Sequence, residues 1–315
     1  MSELRYHPFL DTWVITATHR QERTFHPPAD YCPLCPTQPG GFPTEIPMPE
    51  YDIVVFENKF PSLAPVPPEP AVEGSLLMPV RSSLGVCEVV CYSQNHNATF
   101  ATLPDSQVRK LTRVWRDRYV DLSTRDGIEY VFVFENKGKE IGVTLSHPHG
   151  QIYAYPFVPP VLATELASER RYEAEHGRSL WSDWLAEEMA GPRVVAENET
   201  FAAVVPKFAR YPFEIWVVAK GDLATLASMS DAHLDDLASM LLKVTRGYDR
   251  LFGFSLPYIM AMHQHASSRF HVEFYPPYRT ADKLKYLAGS EAGAGAFIND
   301  TLPEVSAERL RECMS

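Results

Sequence analysis

Long apolar runs are missing from this chain of 315 residues, so no segment reads as a bilayer-spanning helix. Positive charge is also short. The 29 Lys and Arg stand against 40 Asp and Glu, for a net charge of -11. That balance argues against a nucleic-acid or anionic-membrane surface, although a locally basic pocket can still hold an anion. Cysteine is sparse and odd in number, five in all, unlike the framework of a secreted disulfide scaffold. The stretch from Met1 to Arg20 intersperses Arg5, Asp11, His19 and Arg20 and holds no apolar signal-peptide core, so a cytoplasmic location is expected. A Walker loop, a dinucleotide-binding glycine fingerprint and a serine-hydrolase elbow are absent too.

What is present is a globular composition, 45% hydrophobic and 22% charged, long enough for one large domain or two modest ones. Proline crowds the first hundred residues, from Pro27 to Pro49 and again from Pro61 to Pro70. Apolar runs interrupt it, which points to irregular connections hugging a surface. Ile53 to Phe56 and Cys87 to Tyr92 read as buried strands. Asp105 or Ser106 caps an expected helix to about Ser123, with Val108, Leu111, Val114, Trp115 and Tyr119 on one face. Ile128 to Phe134 reads as a strand, followed by a loop from Asn136 to Gly142 and a histidine-bearing strand to Phe157.

The second half repeats this order. Glu197 to Phe201 resembles Phe56 to Phe60, and Glu214 to Ala219 resembles Glu88 to Ser93. A helix from Ser230 to about Phe252 echoes the one from Ser106, and Phe270 to Pro276 echoes the strand from His149. A near-constant offset is what a duplicated unit gives. The chain is therefore expected to be α+β, as two related halves, 1–176 and 177–315, packed into one pseudo-symmetric unit. Ala281 to Arg311 reads as a helical tail.

Chemistry concentrates in Ser146-His147-Pro148-His149-Gly150-Gln151. Residues two apart share a strand face, so His147, His149 and Gln151 can point one way. A neutral imidazole attacks phosphorus well when its other nitrogen donates to a fixed acceptor. Pro148 stiffens the segment, and Gly150 is expected to leave room for a phosphate. Gln151 offers an amide donor to a phosphoryl oxygen. The other reading of His149 is a zinc ligand. Cys32 and Cys35 have the C-x2-C spacing of a metal half-site, with His96 and His147 as candidate partners. A redox pair or two unrelated thiols would look the same. Cys87 and Cys91 fit plain apolar burial. The loop Phe134-Glu135-Asn136-Lys137-Gly138 through Gly142-Val143-Thr144 suits contacts to a diphosphate, or is an ordinary hairpin loop. His263, His265, His271 and Glu273 form a third cluster, either a transition-metal site or a retired copy of the first. Arg20 and Arg23 make a small basic pair suited to phosphate, or to plain solvation.

Together, His147-Pro148-His149-Gly150-Gln151, the preceding Phe134-Glu135-Asn136-Lys137-Gly138, the Cys32 and Cys35 pair, the Asn58 segment, His96, Phe274-Tyr275-Pro276-Pro277 and Lys285-Tyr286-Leu287-Ala288-Gly289 resemble the galactose-1-phosphate uridylyltransferases, tandem members of the histidine-triad superfamily. The match spans nearly the whole chain. It implies two histidine-triad-like halves, each a mostly antiparallel sheet with helices. It implies a ping-pong transfer of uridylyl from UDP-glucose to galactose 1-phosphate through His149, with Gln151 holding phosphoryl oxygens. The related phosphorylases of nucleoside-diphosphate sugars and of dinucleoside polyphosphates are the alternative. Asn58, Asn136, Gly142 and Thr144 fall where the family contacts the sugar nucleotide. Arg20, Arg23, Lys285, Tyr286 and Glu291 match positions near substrate, partly supplied by the partner of a homodimer. The resemblance implies zinc on Cys32, Cys35, His96 and His147. A second metal, iron or zinc, would use Glu165, His263, His271 and Glu273; because Glu273 replaces a histidine of the family, the site either survives with a harder metal preference or is empty.

Overall fold

A computed structural model describes residues 2–23 and 31–315; the side chains of residues 22 and 23 lie outside that description. A hairpin opens the chain, β1 (Ser2–His7) against β2 (Thr12–Ala17), with a short β4 (Val80–Ser82) on the other side of β1. The main sheet of the first half contains β3 (Val54–Glu57), β5 (Val86–Cys91), β6 (Tyr130–Lys137) and β7 (His149–Tyr155). The second half adds β8 (Val194–Glu197), β9 (Phe201–Val204), β10 (Ile215–Ala219), β11 (Tyr258–His263) and β12 (His271–Tyr275). A small hairpin follows, β13 (Tyr278–Thr280) with β14 (Lys283–Leu284). The helices are α1 (Asp105–Ser123), α2 (Pro160–His176), α3 (Leu180–Met189), α4 (Asp231–Leu251) and α5 (Pro303–Met314).

The two halves share one nine-stranded antiparallel sheet, in the order β3-β5-β7-β6-β11-β12-β10-β9-β8. The seam is the β6–β11 pair, where Glu135 faces Met260 and Lys137 faces Tyr258. Strand, strand, helix, strand, strand describes both halves in chain order: β3, β5, α1, β6, β7 and then β9, β10, α4, β11, β12. The repeated order read from the sequence is thus an architectural one, and the chain is α+β. Both α1 and α4 lie on one face of this sheet. Ser230 caps α4 by accepting from the His233 amide, as an N-cap serine does. Arg113 to Asp235 and Arg116 to Asp231, each at 2.8 Å, tie the two helices together.

Alternation along each strand divides the sheet into two faces. Val86, Val90, Val131, Val133, Ile152 and Ala154 join Trp115, Phe100 and Leu111 in the core under the helices. Burying each such large side chain contributes about 1.5–3 kcal/mol. On the opposite face, Leu4, Cys87 and Tyr153 pack under the first hairpin, and Leu34, Ile46, Val89 and Cys91 under the proline-rich loop. Those strands are therefore apolar on both faces and read as continuous runs. In the second half, α3 covers the same face with Trp181 and Leu185 against Val204, Trp216 and Val218.

The expected helical tail is shorter than the sequence suggested. From Ala281 the chain completes the β13–β14 hairpin, makes a single π-type turn at Gly289–Gly293, and becomes α-helical only at Pro303. A buried ion pair between Lys285 and Glu291, 3.0 Å apart, fixes that irregular stretch.

Candidate active site and metal centres

A cleft of about 800 Å³ opens on the face of the first half away from α1. It is lined by Arg20, Asn58, Asn136, Gly142, Thr144, His149 and Gln151, so the structure brings together most residues singled out from sequence. The side chain of Arg23 lies outside the described residues. Lys285, Tyr286 and Glu291 are not among the lining residues.

His149 begins β7 and is half-buried. Its Nδ1 lies 2.8 Å from the His147 carbonyl oxygen. A carbonyl only accepts, so Nδ1 carries the proton and Nε2 is the basic nitrogen. Two residues on, Gln151 shares its face. Its Oε1 accepts from the Tyr153 hydroxyl at 3.3 Å, and that hydroxyl in turn accepts from Arg20 Nη1 at 3.4 Å. The amide oxygen is thereby occupied, which leaves the Gln151 NH2 as the group offered to a ligand. Asn58 is arranged likewise, since its Oδ1 accepts from the Phe60 amide at 2.9 Å. Gly138 and Gly142 both hold positive φ, +105° and +84°, and a Cβ on Gly138 would meet Pro257. The loop they bound carries Ile141, Val143 and Thr144 to the cleft. The charged lining residues are Arg20, Lys59 and Glu45, a positive balance within an acidic protein.

Gly150 does not do what its position in the motif suggested. It faces the helices, not the cleft, and a Cβ there would fall on the Tyr92 hydroxyl. The absent side chain makes room behind the strand. His147 precedes β7 and turns away from His149 toward the cysteines.

Among the described residues, two groups of metal-type donors converge, each with its ligand atoms within 4.8 Å of one another. The first is Cys32, Cys35, His96 and His147. Cys35 Sγ lies 3.5 Å from His96 Nδ1 and 3.6 Å from His147 Nδ1. Bonds of about 2.0–2.3 Å to a tetrahedral zinc would set such donors about 3.3–3.8 Å apart. His147 Nε2 donates to the Ser93 carbonyl at 2.8 Å, beside the Tyr51 hydroxyl at 2.7 Å, and this fixes the tautomer that aims Nδ1 at the thiols. Burial holds the His147 pKa down to about 4, so the ring is neutral and able to ligate. Burial, then the neighbouring Cys32, pushes the Cys35 thiol up to about 11. A divalent ion reverses that preference, because it binds thiolate. The donor set fits zinc. Pro33 and Leu34, between the two cysteines, line the cleft, so the knuckle is also its wall.

Two models of the galactose-1-phosphate uridyl transferase family match the chain, the N-terminal domain over residues 1–159 and the C-terminal domain over residues 165–315. The galactose-1-phosphate uridylyltransferase of Thermotoga maritima is 41% identical over 99% of this chain and 98% of its own. That of Streptomyces lividans is 39% identical over 99% of this chain and 87% of its own. A solved uridylyltransferase structure superposes with a TM-score of 0.89 at 30% identity, covering 99% of this chain and 98% of that one. The chain belongs to the galactose-1-phosphate uridylyltransferase family.

The second donor group of this family member is Glu165, His263, His271 and Glu273. His271 copies His149: its Nδ1 donates to the carbonyl two residues back, Arg269 O, at 3.0 Å. Unlike His149 it is sealed, 1% exposed, with Trp216 stacked on it at 5.1 Å and Trp181 at 4.5 Å. A sealed imidazole cannot reach a substrate, so the second copy carries no cleft of its own at this histidine. His271 Nε2 instead faces Glu273 Oε1 at 3.3 Å, and neither atom has a hydrogen-bond partner. A proton on Nε2, or a cation bound between the two atoms, would satisfy this contact. His263 Nδ1, 3.0 Å from Glu165 Oε2 and 3.8 Å from Glu273 Oε1, completes the ring of donors. Two imidazoles and two carboxylates suit a divalent ion. Glu273 Oε2 is held from outside by Arg210 Nη2 at 2.8 Å. His265 stays out of this group and pairs with Ser267 in a loop.

Sequence reasoning did not single out Phe56, Phe60, Val89 or Tyr153 as part of the cleft. The signal was there: Phe56 and Phe60 flank Asn58 at a spacing of two.

Proposed function

We infer that this chain transfers uridylyl from UDP-glucose to galactose 1-phosphate, in two steps through a uridylyl-His149 intermediate. The observation that carries this reading is the tautomer of His149, with Nδ1 committed to the His147 carbonyl and Gln151 on the same face of the cleft. His149 Nε2 attacks the α-phosphorus of UDP-glucose. A P–N bond forms, the P–O bond to glucose 1-phosphate breaks, and that phosphate departs. Galactose 1-phosphate then attacks the same phosphorus, releasing His149 and giving UDP-galactose. Both leaving groups are weak bases, so positioning and charge stabilisation matter more than proton delivery. The Gln151 NH2 and Arg20 supply that stabilisation without a competing negative charge. The His149 Nδ1–H stabilises the positive ring through the His147 carbonyl.

Cys32, Cys35, His96 and His147 hold zinc in this reading, and the ion's contribution is to clamp the cleft wall to the start of β7. Glu165, His263, His271 and Glu273 hold the second metal, iron or zinc. The enzyme is a homodimer with shared sites. Tyr286, Leu287 and Ile298 support this, since they leave exposed apolar surface beside Lys285 and Glu291. Residues 1–176 and 177–315 are the two tandem units. The five free thiols suit a reducing cytoplasm, and among the described residues no helix is long and apolar enough to cross a membrane.

Intact-protein mass after rapid mixing with UDP-glucose tests the reading. One uridylyl increment is expected, discharged by galactose 1-phosphate; a requirement for free phosphate as acceptor would refute the transferase.

A further inference from the structure

We propose that Glu135, Tyr92 and Tyr258 form a buried positioning device that braces the nucleophile strand from behind, through the gap left by Gly150. The inference rests on His149 being the nucleophile. Glu135 lies on β6 between two cleft residues, Phe134 and Asn136, yet points to the opposite face, 4% exposed. The β6–β7 register pairs Phe134 with Gln151, and one step further sets Glu135 beside Gly150. From the other side, β5 pairs Val90 with Gly150, and Tyr92 swings its hydroxyl into the space where a Cβ would stand. Tyr258 arrives from the seam strand β11, opposite Lys137. Both hydroxyls stand near enough to the Glu135 carboxyl to favour its anion, against the larger opposing effect of burial. Glu135 Oε2, Tyr92 Oη and Tyr258 Oη are all buried without a hydrogen-bond partner of ordinary geometry, so the three polar groups have only one another's neighbourhood to turn to.

A polar cluster is a poor way to fill a core. Apolar side chains of similar size would leave no polar group short of partners. What this cluster supplies is direction. Its three members come from β6, β11 and the residue just after β5; Tyr92 fills the space beneath the residue between His149 and Gln151, and Glu135 and Tyr258 extend the cluster toward the seam. Burial pushes the Glu135 carboxyl up to about 8, so it keeps its proton at neutral pH and can act as donor as well as acceptor. Tyr92 N donates to the Pro148 carbonyl at 3.0 Å, so the same residue grips the turn that precedes His149. Displacing Tyr92 would let the imidazole drift from the line of attack while leaving the cleft walls intact.

The test is rapid-quench measurement of uridylyl-His149 formation at saturating UDP-glucose, with thermal stability followed in parallel. Glu135→Leu is expected to remain folded and to slow adduct formation about tenfold, as a sub-ångström misalignment does. The KM for UDP-glucose should stay near the wild-type value, because the binding groups are untouched. Glu135→Gln should recover most of the rate, and Tyr92→Phe should lose it as Glu135→Leu does. Adduct formation at the wild-type rate in Glu135→Leu or Tyr92→Phe would overturn the proposal. Should Glu135→Leu not fold, Tyr92→Phe, which removes one oxygen, decides alone. Failure of the wild-type protein itself to form an adduct would instead refute the nucleophile assignment.

Discussion

Between His149 and Gln151, Gly150 shows how one residue serves the side of a strand that the chemistry never sees. Any side chain there competes with the Tyr92 hydroxyl and approaches the Phe134 carbonyl at 3.1 Å. Gly150→Ala should therefore cost about 1–3 kcal/mol of stability, the usual range for overpacking. It should also slow adduct formation at least as much as loss of Tyr92, which thermal melts and rapid quench can both follow. His149→Ala is the complementary case. It should abolish uridylyl exchange between UDP-glucose and glucose 1-phosphate while leaving Tm nearly unchanged; residual exchange would reject the assignment. Glu135 adds a pH signature. Its carboxyl titrates near 8 when folded, against an ordinary value near 4.5 when unfolded, because burial penalises the anion. Across that interval the unfolded chain has lost a proton that the folded chain keeps, so stability from this group falls as pH rises. Glu135→Gln lacks the slope. Its Tm advantage over wild type should widen from about pH 5 to about pH 8, and a constant difference would show that the carboxyl ionises without penalty.

The loop that bears Cys32 and Cys35 is the element on which the cleft depends most. It is held by the Cys35 amide to the Cys32 carbonyl at 3.2 Å and by Thr44 Oγ1 to the Cys35 carbonyl at 2.6 Å, with little apolar burial beyond Leu34 and Ile46. Cys32→Ser should lower bound zinc and Tm together, the latter by about 5 °C or more, and should raise the KM for UDP-glucose as the wall loosens. Metal analysis unchanged by the substitution would discard this ligand set. Elements of this kind were only half legible in the sequence. The cap expected at Asp105 or Ser106 is not made: Asp105 is already the first helical residue, and Pro104 before it has no side-chain donor or acceptor to offer. The α1 helix still announced itself through apolar spacing, and α4 through its likeness to α1. The β1–β2 hairpin did not, because its strands mix polar and apolar residues under partial burial. Neither did α2, which buries only Leu162 and Leu166 and so shows little periodicity. The segment after Ala281 misled for the opposite reason. Its small residues favour helix locally, but the Lys285 to Glu291 pair within it and, from a distance, the Asn299 side-chain amide donating to the Ala209 carbonyl at 2.9 Å impose an irregular path. Long-range contacts of that sort leave no periodic trace.

At the scale of the whole molecule, the duplicated order of elements was readable, whereas the fusion of both halves into one sheet was not. Pairing of β6 with β11 depends on which edges meet, and strand composition does not encode that. The same limit applies to the site, because Lys285, Tyr286 and Glu291 stand away from the cleft of their own chain. Lys285 and Glu291 are committed to their own buried ion pair, so of the three the exposed Tyr286 is the one free to reach a partner's cleft; if it does, His149→Ala and Tyr286→Ala proteins should each lose activity alone. Refolded together in equal amounts, they should regain about a quarter of wild-type activity, because half the dimers are mixed and each holds one intact site. No recovery would place Tyr286 outside the partner's cleft. The shared sheet also governs what happens if the polypeptide is divided. A cut in the connection between α2 and α3, near Gly177, would leave β6 and β11 as bare inner borders, each rich in valine, methionine or phenylalanine and hungry for main-chain partners. Produced singly, such fragments should clump. Produced in the same cell, they should find each other along that border and reconstitute a working enzyme from two separately encoded pieces.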